Sequence, residues 1–76
     1  MKLSHLKNGQ SGLIVAFDSL SNDVRKRLMV MGILPNTEIT VIRRAPMGDP
    51  LQVDVRGVSI AVRESIAASI EVEVTE

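Results

Sequence analysis

His5 is the one histidine of a chain without cysteine, so the side chains that most often serve as nucleophile, proton shuttle or transition-metal ligand are nearly absent. General acid-base work needs two polar groups that converge with displaced pKa values, and here the carboxylates are scattered, mostly on outward strand positions. No serine or acid stands at a catalytic spacing from His5. A catalytic site is therefore not expected. Glu71 and Glu73 share one strand face and could hold a hard divalent ion, but two carboxylates without converging ligands make a weak, wet site. A solubilising acidic face accounts for them better. Gly48-Asp49-Pro50 lacks the lysine and threonine that complete a phosphate-binding loop, so nucleotide hydrolysis is not expected either. The residues call for no cofactor and no bound metal.

Arg25-Lys26-Arg27 with Arg43-Arg44 is the one basic concentration. Lysine plus arginine (9) balance aspartate plus glutamate (9), and Phe17 is the only aromatic residue. The chain thus has neither the positive field nor the stacking platforms of a nucleic-acid binder. No nucleic-acid partner is expected. Charge is nevertheless uneven: Arg25, Lys26, Arg27, Arg43 and Arg44 face only Glu38 in the middle of the chain, whereas Glu64, Glu71, Glu73 and Glu76 have no basic residue among them. Opposite patches on different faces could pair head to tail between copies and build a homo-oligomer. Pairing within one molecule explains the same asymmetry. Met29 is a sharper signal, because steps of 100° from Val24 carry it away from the Leu28 and Met31 stripe to the side of Arg25 and Lys26. With Val30 and Leu34 beside it, the result is an apolar patch ringed by positive charge and suited to a partner.

The elements that position these residues can be read from periodicity. A chain of 76 residues that is 45% hydrophobic and 24% charged makes one small domain over 1–76, and no apolar run is long enough to span a membrane. Ser4 could cap a short turn that buries Leu3 and Leu6, before Asn8-Gly9 turns the chain into a first strand. Leu13 to Phe17 is continuously apolar, which predicts a strand covered on both sides. Ser21 or Asn22 as N-cap, Asp23 in the first turn and Gly32 as the stop predict a helix, with Val24, Leu28 and Met31 on its core face. Leu34-Pro35-Asn36-Thr37 is a turn with Asn36 at positive φ. Strands are expected over Glu38 to Ala45, on the alternation of Leu51, Val53 and Val55, on that of Val58, Ile60 and Val62, and on that of Ile70, Val72 and Val74. Pro46 to Pro50 is a loop, and Arg63 to Ser69 holds one helical turn. Five short strands and one real helix describe a small, strongly curved barrel.

Several separated fragments then fall into one pattern: Leu6 with Gly9 and Gly12, Arg27-Leu28 with Met31-Gly32-Ile33, Pro35, and Arg44-Ala45-Pro46 with Gly48-Asp49-Pro50. Val55, Gly57, Ile60-Ala61-Val62-Arg63 and Ile70 follow. In that order and spacing the chain resembles the FeoA family, small cytosolic proteins of bacterial ferrous iron transport. Asn36 departs from the usual glycine, Val62 from the usual leucine, and Ser65-Ile66 from the usual acidic residue and alanine.

The resemblance implies a mainly β, SH3-like five-stranded barrel with a helix between the first and second strands and a short helical turn before the last. It also implies a non-catalytic cytoplasmic accessory protein that is held at the membrane by FeoB, a permease carrying a cytosolic GTPase domain. The contact is expected on the helix Asp23 to Met31, through Arg25, Met29 and Met31, and on the loop of Ala45, Pro46, Met47, Gly48, Asp49 and Pro50. Two alternatives stay open: direct binding of ferrous ion by His5 or the late glutamates, and a free regulator resembling the C-terminal module of metal-dependent repressors.

Overall fold

Turn chemistry divides the chain at the expected places. In a computed structural model, which describes residues 1–75, strands β1 (Ser11–Phe17), β2 (Glu38–Arg44), β3 (Leu51–Val55), β4 (Val58–Val62) and β5 (Ile70–Val74) are joined by helices α1 (Asn22–Val30) and α2 (Glu64–Ala67). Glu76, counted above with the acidic end, lies outside the described residues. Asn36, at φ 66°, makes the turn into β2, and Arg56 and Gly57, at φ 54° and 83°, make the two-residue hairpin between β3 and β4.

The strands form one antiparallel sheet in the order β4-β3-β2-β1-β5. Its curvature has local causes, because the register shifts between Ile14 and Ala16 on β1 and between Val41 and Arg43 on β2, and a bulge bends the strand that carries it. The sheet wraps Ile14, Ile39, Val41, Leu51, Val53, Val55, Ile70 and Val72, all buried. Leu3 and Leu6 belong to the same core.

Four local expectations are corrected. The segment Leu13 to Phe17 is not covered on both sides: at the bulge Val15 and Ala16 meet solvent, while Leu13 and Phe17 are half-buried. Ser4 does not cap the first turn. The 3-10 turn Leu3–His5 starts at Lys2 without any side-chain cap, and Ser4 is simply buried. On α1, Leu28 is buried and half-buried Val24 packs against the core as expected, but Met31 is exposed. On β4 the alternation is diluted, with Val58 exposed and Ile60 half-buried, because the sheet ends at this strand instead of closing on β5.

Close packing of β1 on β5 explains one glycine. A Cβ on Gly12 would lie 3.1 Å from Val72 Cβ and 3.3 Å from the Glu73 carbonyl oxygen. Neither can retreat, one being fixed to a buried strand and the other being backbone. Gly12→Val should therefore cost about 1–3 kcal/mol, read as a lower urea midpoint with an unchanged slope.

The chain's first residues are tied to β5 by charge. The Met1 ammonium lies 2.5 Å from Glu71 Oε2 and Lys2 Nζ 3.0 Å from Oε1, and in that order they hold the Glu71 carboxyl below its ordinary value of 4.5. A lowered folded-state pKa contributes stability that is complete above the unfolded value and is lost as pH falls through the folded one. Glu71→Gln should thus lower stability at neutral pH and flatten its decline below about pH 4.5, in denaturation curves taken across that range.

Candidate partner-binding surface

Helix α1 is fastened at both ends by its own sequence. Ser21 is extended at φ −66°, ψ 158°, and its hydroxyl accepts a bond from the Val24 amide at 3.3 Å, while Asp23 faces the positive end of the helix dipole. At the other end Gly32 adopts φ 91°. The Gly32 amide donates to the Met29 carbonyl at 3.0 Å and the Ile33 amide to that of Leu28 at 2.9 Å, which is a Schellman closure with a left-handed glycine. Leu28 and Ile33, the pair such a closure brings into contact, are both buried. The run Arg27-Leu28 with Met31-Gly32-Ile33 is thereby accounted for as a helix stop. It also turns Lys26, Arg27, Val30 and Met31 outward.

Three clefts follow one another across the molecule. One of about 410 Å³ is lined by Lys26, Arg27, Val30 and Met31 on α1. A second, about 220 Å³, lies between Val24, Arg27, Leu28 and Met31 on one side and Ala61, Val62, Arg63 and Ile66 on the other. The third, about 300 Å³, is formed by Arg43, Ala45, Pro46, Pro50, Gln52 and Ala61. Arg27 and Met31 belong to both the first and the second, and Ala61 to both the second and the third. The helix and the loop after β2 therefore lie along one continuous surface. Its floor is apolar, and its ionisable lining residues, Lys26, Arg27, Arg43 and Arg63, are all basic in a chain of zero net charge. Shallow clefts of this size suit the side chains of a partner better than an enclosed small ligand.

The loop that ends this surface is held by its own backbone. The Gly48 amide donates to the Ala45 carbonyl at 2.7 Å, and the Ala45 amide to that of Pro50 at 3.1 Å. This closure pushes Met47 out to 92% exposure. Asp49 is turned toward α2, where its Oδ1 accepts a bond from the Glu64 amide at 3.0 Å. Since Arg63 at the N-cap offers no side-chain cap, Asp49 does that work from the opposite loop. Asp49→Ala should cost about 0.5–2 kcal/mol, seen as a lower thermal midpoint.

Of the residues singled out from the sequence, Met31, Ala45, Pro46 and Pro50 line the clefts, whereas Met47, Gly48 and Asp49 belong to the same loop but line none of them. Arg25 and Met29 are exposed, as expected for Met29, but line none of the three clefts. Val30, placed by its sequence in the apolar patch, and Arg27, placed in the basic concentration, both line the clefts as well. Sequence reasoning passed over Ala61, Arg63 and Ile66. Ala61 was out of its reach, because only the folded sheet brings it between α1 and the loop. His5 is exposed. Among the described residues no three of His, Asp and Glu gather as a metal site would require.

Comparison with known proteins places this arrangement. Residues 1–74 match the model of the FeoA domain. The chain belongs to the FeoA family. It is 36% identical over 73 residues to a fusion of Fe(2+) transport protein A with the Fe(2+) transporter FeoB from Porphyromonas gingivalis, covering 96% of this chain but only 8% of that protein. The solution structure of FeoA from Chlorobium tepidum superposes with a TM-score of 0.94 at 34% identity, over 100% of this chain and 71% of that one. Stenotrophomonas maltophilia FeoA, an SH3 domain protein solved in complex with zinc, superposes with a TM-score of 0.81 at 30% identity, over 96% and 89%. The expected mainly β, SH3-like architecture of the family is thus the one found, with the sheet left open between β4 and β5.

Proposed function

We propose that this protein is a non-catalytic accessory module of ferrous iron uptake that works by docking on the cytosolic part of a FeoB permease. The observation that carries this reading is the Porphyromonas gingivalis relative, in which a FeoA segment and a FeoB transporter are one polypeptide. Two partners encoded as one chain gain a high effective concentration for a contact that separate chains must make by affinity. The continuous surface from α1 through Ala61 to the loop of Ala45 and Pro50 is the region suited to that contact, being apolar at its floor and basic at its rim. Such a rim favours an acidic partner surface and speeds encounter. Among the described residues no helix is long and apolar enough to cross a membrane.

The test is a calorimetric titration of the purified protein against the cytosolic part of the FeoB permease from the same organism. Saturable one-to-one binding, weakened by salt, is the expected result. No binding at protein concentrations of about 100 μM, where contacts much weaker than micromolar would still register, would overturn the reading.

A further inference from the structure

Among the described residues no strand pairs with the outer edge of β4. The hairpin turn at Arg56-Gly57 closes on the pair Val55 and Val58, and the ladder continues through Val53 with Ile60 and Leu51 with Val62. In a two-residue hairpin the closing pair is hydrogen-bonded, and antiparallel pairs then alternate. The backbone groups of Val58, Ile60 and Val62 accordingly point to β3, and those of Ser59 and Ala61 point away from the sheet. Among the described residues neither Ser59 nor Ala61 makes a backbone bond to any loop or turn, and both are exposed. Natural sheets blunt such an edge with lysine, proline or a bulge. Val58-Ser59-Ile60-Ala61-Val62 has none of these and carries no charge. The other end of the sheet is treated differently, since Lys2 bridges to Glu71 and the Val72 amide donates to the Met1 carbonyl at 2.7 Å.

We infer that β4 is a strand-addition site that takes an extended acidic and apolar segment of the partner protein, a statement that rests on the docking role proposed above and specifies its contact. Ala61 stands where two of the clefts meet. A segment laid along β4 directs alternate side chains to opposite faces, one set toward Val24, Met31 and Ile66 and the other toward Pro46 and Pro50. Main-chain bonds to Ser59 and Ala61 supply affinity, and the clefts supply selection. The charge of the segment follows from Arg27, Arg43 and Arg63 around it. A second copy of β4 would bring an identical basic rim against this one, and like charges in opposition disfavour that pairing.

The test uses a blocked peptide of alternating valine and glutamate, its lysine counterpart, and the acidic peptide with every backbone nitrogen methylated, each titrated into the isotope-labelled protein by NMR. Binding of the acidic peptide should shift the Ser59 and Ala61 amides most and slow their exchange, and the other two peptides should bind at least about tenfold more weakly. Ala61→Pro removes one outward N–H at an edge position where proline is tolerated. It should leave the fold intact and weaken both the acidic peptide and the FeoB cytosolic part by about tenfold or more. Equal binding of the methylated peptide, shifts centred away from β4, or a dimer of the free protein with protected β4 amides would overturn the inference. If Arg27→Glu weakens FeoB binding and Ala61→Pro does not, strand addition fails while the docking surface stands. Indifference of FeoB to both removes the surface as well.

Discussion

Leu28→Ala is expected to release α1 from the sheet and to lower stability by about 3–5 kcal/mol, the range found when a buried leucine is cut back and the site cannot collapse. The loss is severe relative to the whole. At roughly 0.05–0.15 kcal/mol per residue, a chain of 76 residues has about 4–11 kcal/mol of stability in total. It should also be local in character. Leu28 is the only fully buried residue of α1, and it is the helix's half of the contact with Ile33 that completes the Schellman closure. A nine-residue helix is too short to persist in water without such an anchor. Urea denaturation should show the fall in midpoint. Native-state hydrogen exchange should show the α1 amides losing protection before those of β2 and β3. A helix that stays protected in the variant, with less than about 1 kcal/mol lost, would mean that Val24 and Met31 hold α1 after all.

The same helix shows how far the sequence could be read. Its start at Ser21, its stop at Gly32 and the burial of Leu28 followed from capping chemistry and a 3.6-residue period, because both act within a few residues. Whether Val24 and Met31 also reach the core depends on where the helix lies against the sheet, and an isolated pattern holds no information about that. Val24 does pack against the core and Met31 does not, and both wall a cleft whose opposite side is β4 and α2. Strand β1 failed for a related reason. A continuous apolar run was read as two covered faces, whereas the bulge between Ile14 and Ala16 changes which side chains face inward and leaves Val15 and Ala16 in solvent. The hairpin of β3 and β4 was legible in its turn, since Arg56-Gly57 marks it, but not in its exposure, because an edge strand and an inner strand can share one alternation. The candidate surface suffered most. Two of its parts, the helix and the proline-rich loop, were named, but Ala61, which links them, is a small residue in an ordinary strand pattern, and only the register of β3 with β4 and the placement of α1 give it that position.

Replacing Arg27 and Met31 together by glutamate should weaken binding to the FeoB cytosolic part by about 100-fold or more, equivalent to roughly 3 kcal/mol. Both side chains belong to the first and second clefts and both are exposed, so the change removes an apolar contact and inverts a charge without opening the core. Loss of the Arg27 charge near the helix C-terminus costs stability by only about 0.3–1 kcal/mol. The informative control is the pair Arg25→Glu with Met29→Glu. It makes the same two replacements on the same helix and changes the net charge by the same amount, so any effect of overall charge on encounter is matched. Neither residue lines a cleft. The control should therefore lose less than about threefold, mostly in the association rate, whereas the test pair should lose mainly through faster dissociation. Surface plasmon resonance at two salt concentrations separates the two. Equal losses for both pairs would reduce the contact to long-range charge, and a larger loss for Arg25 and Met29 would move it to the opposite face of α1, leaving the clefts facing solvent in the complex.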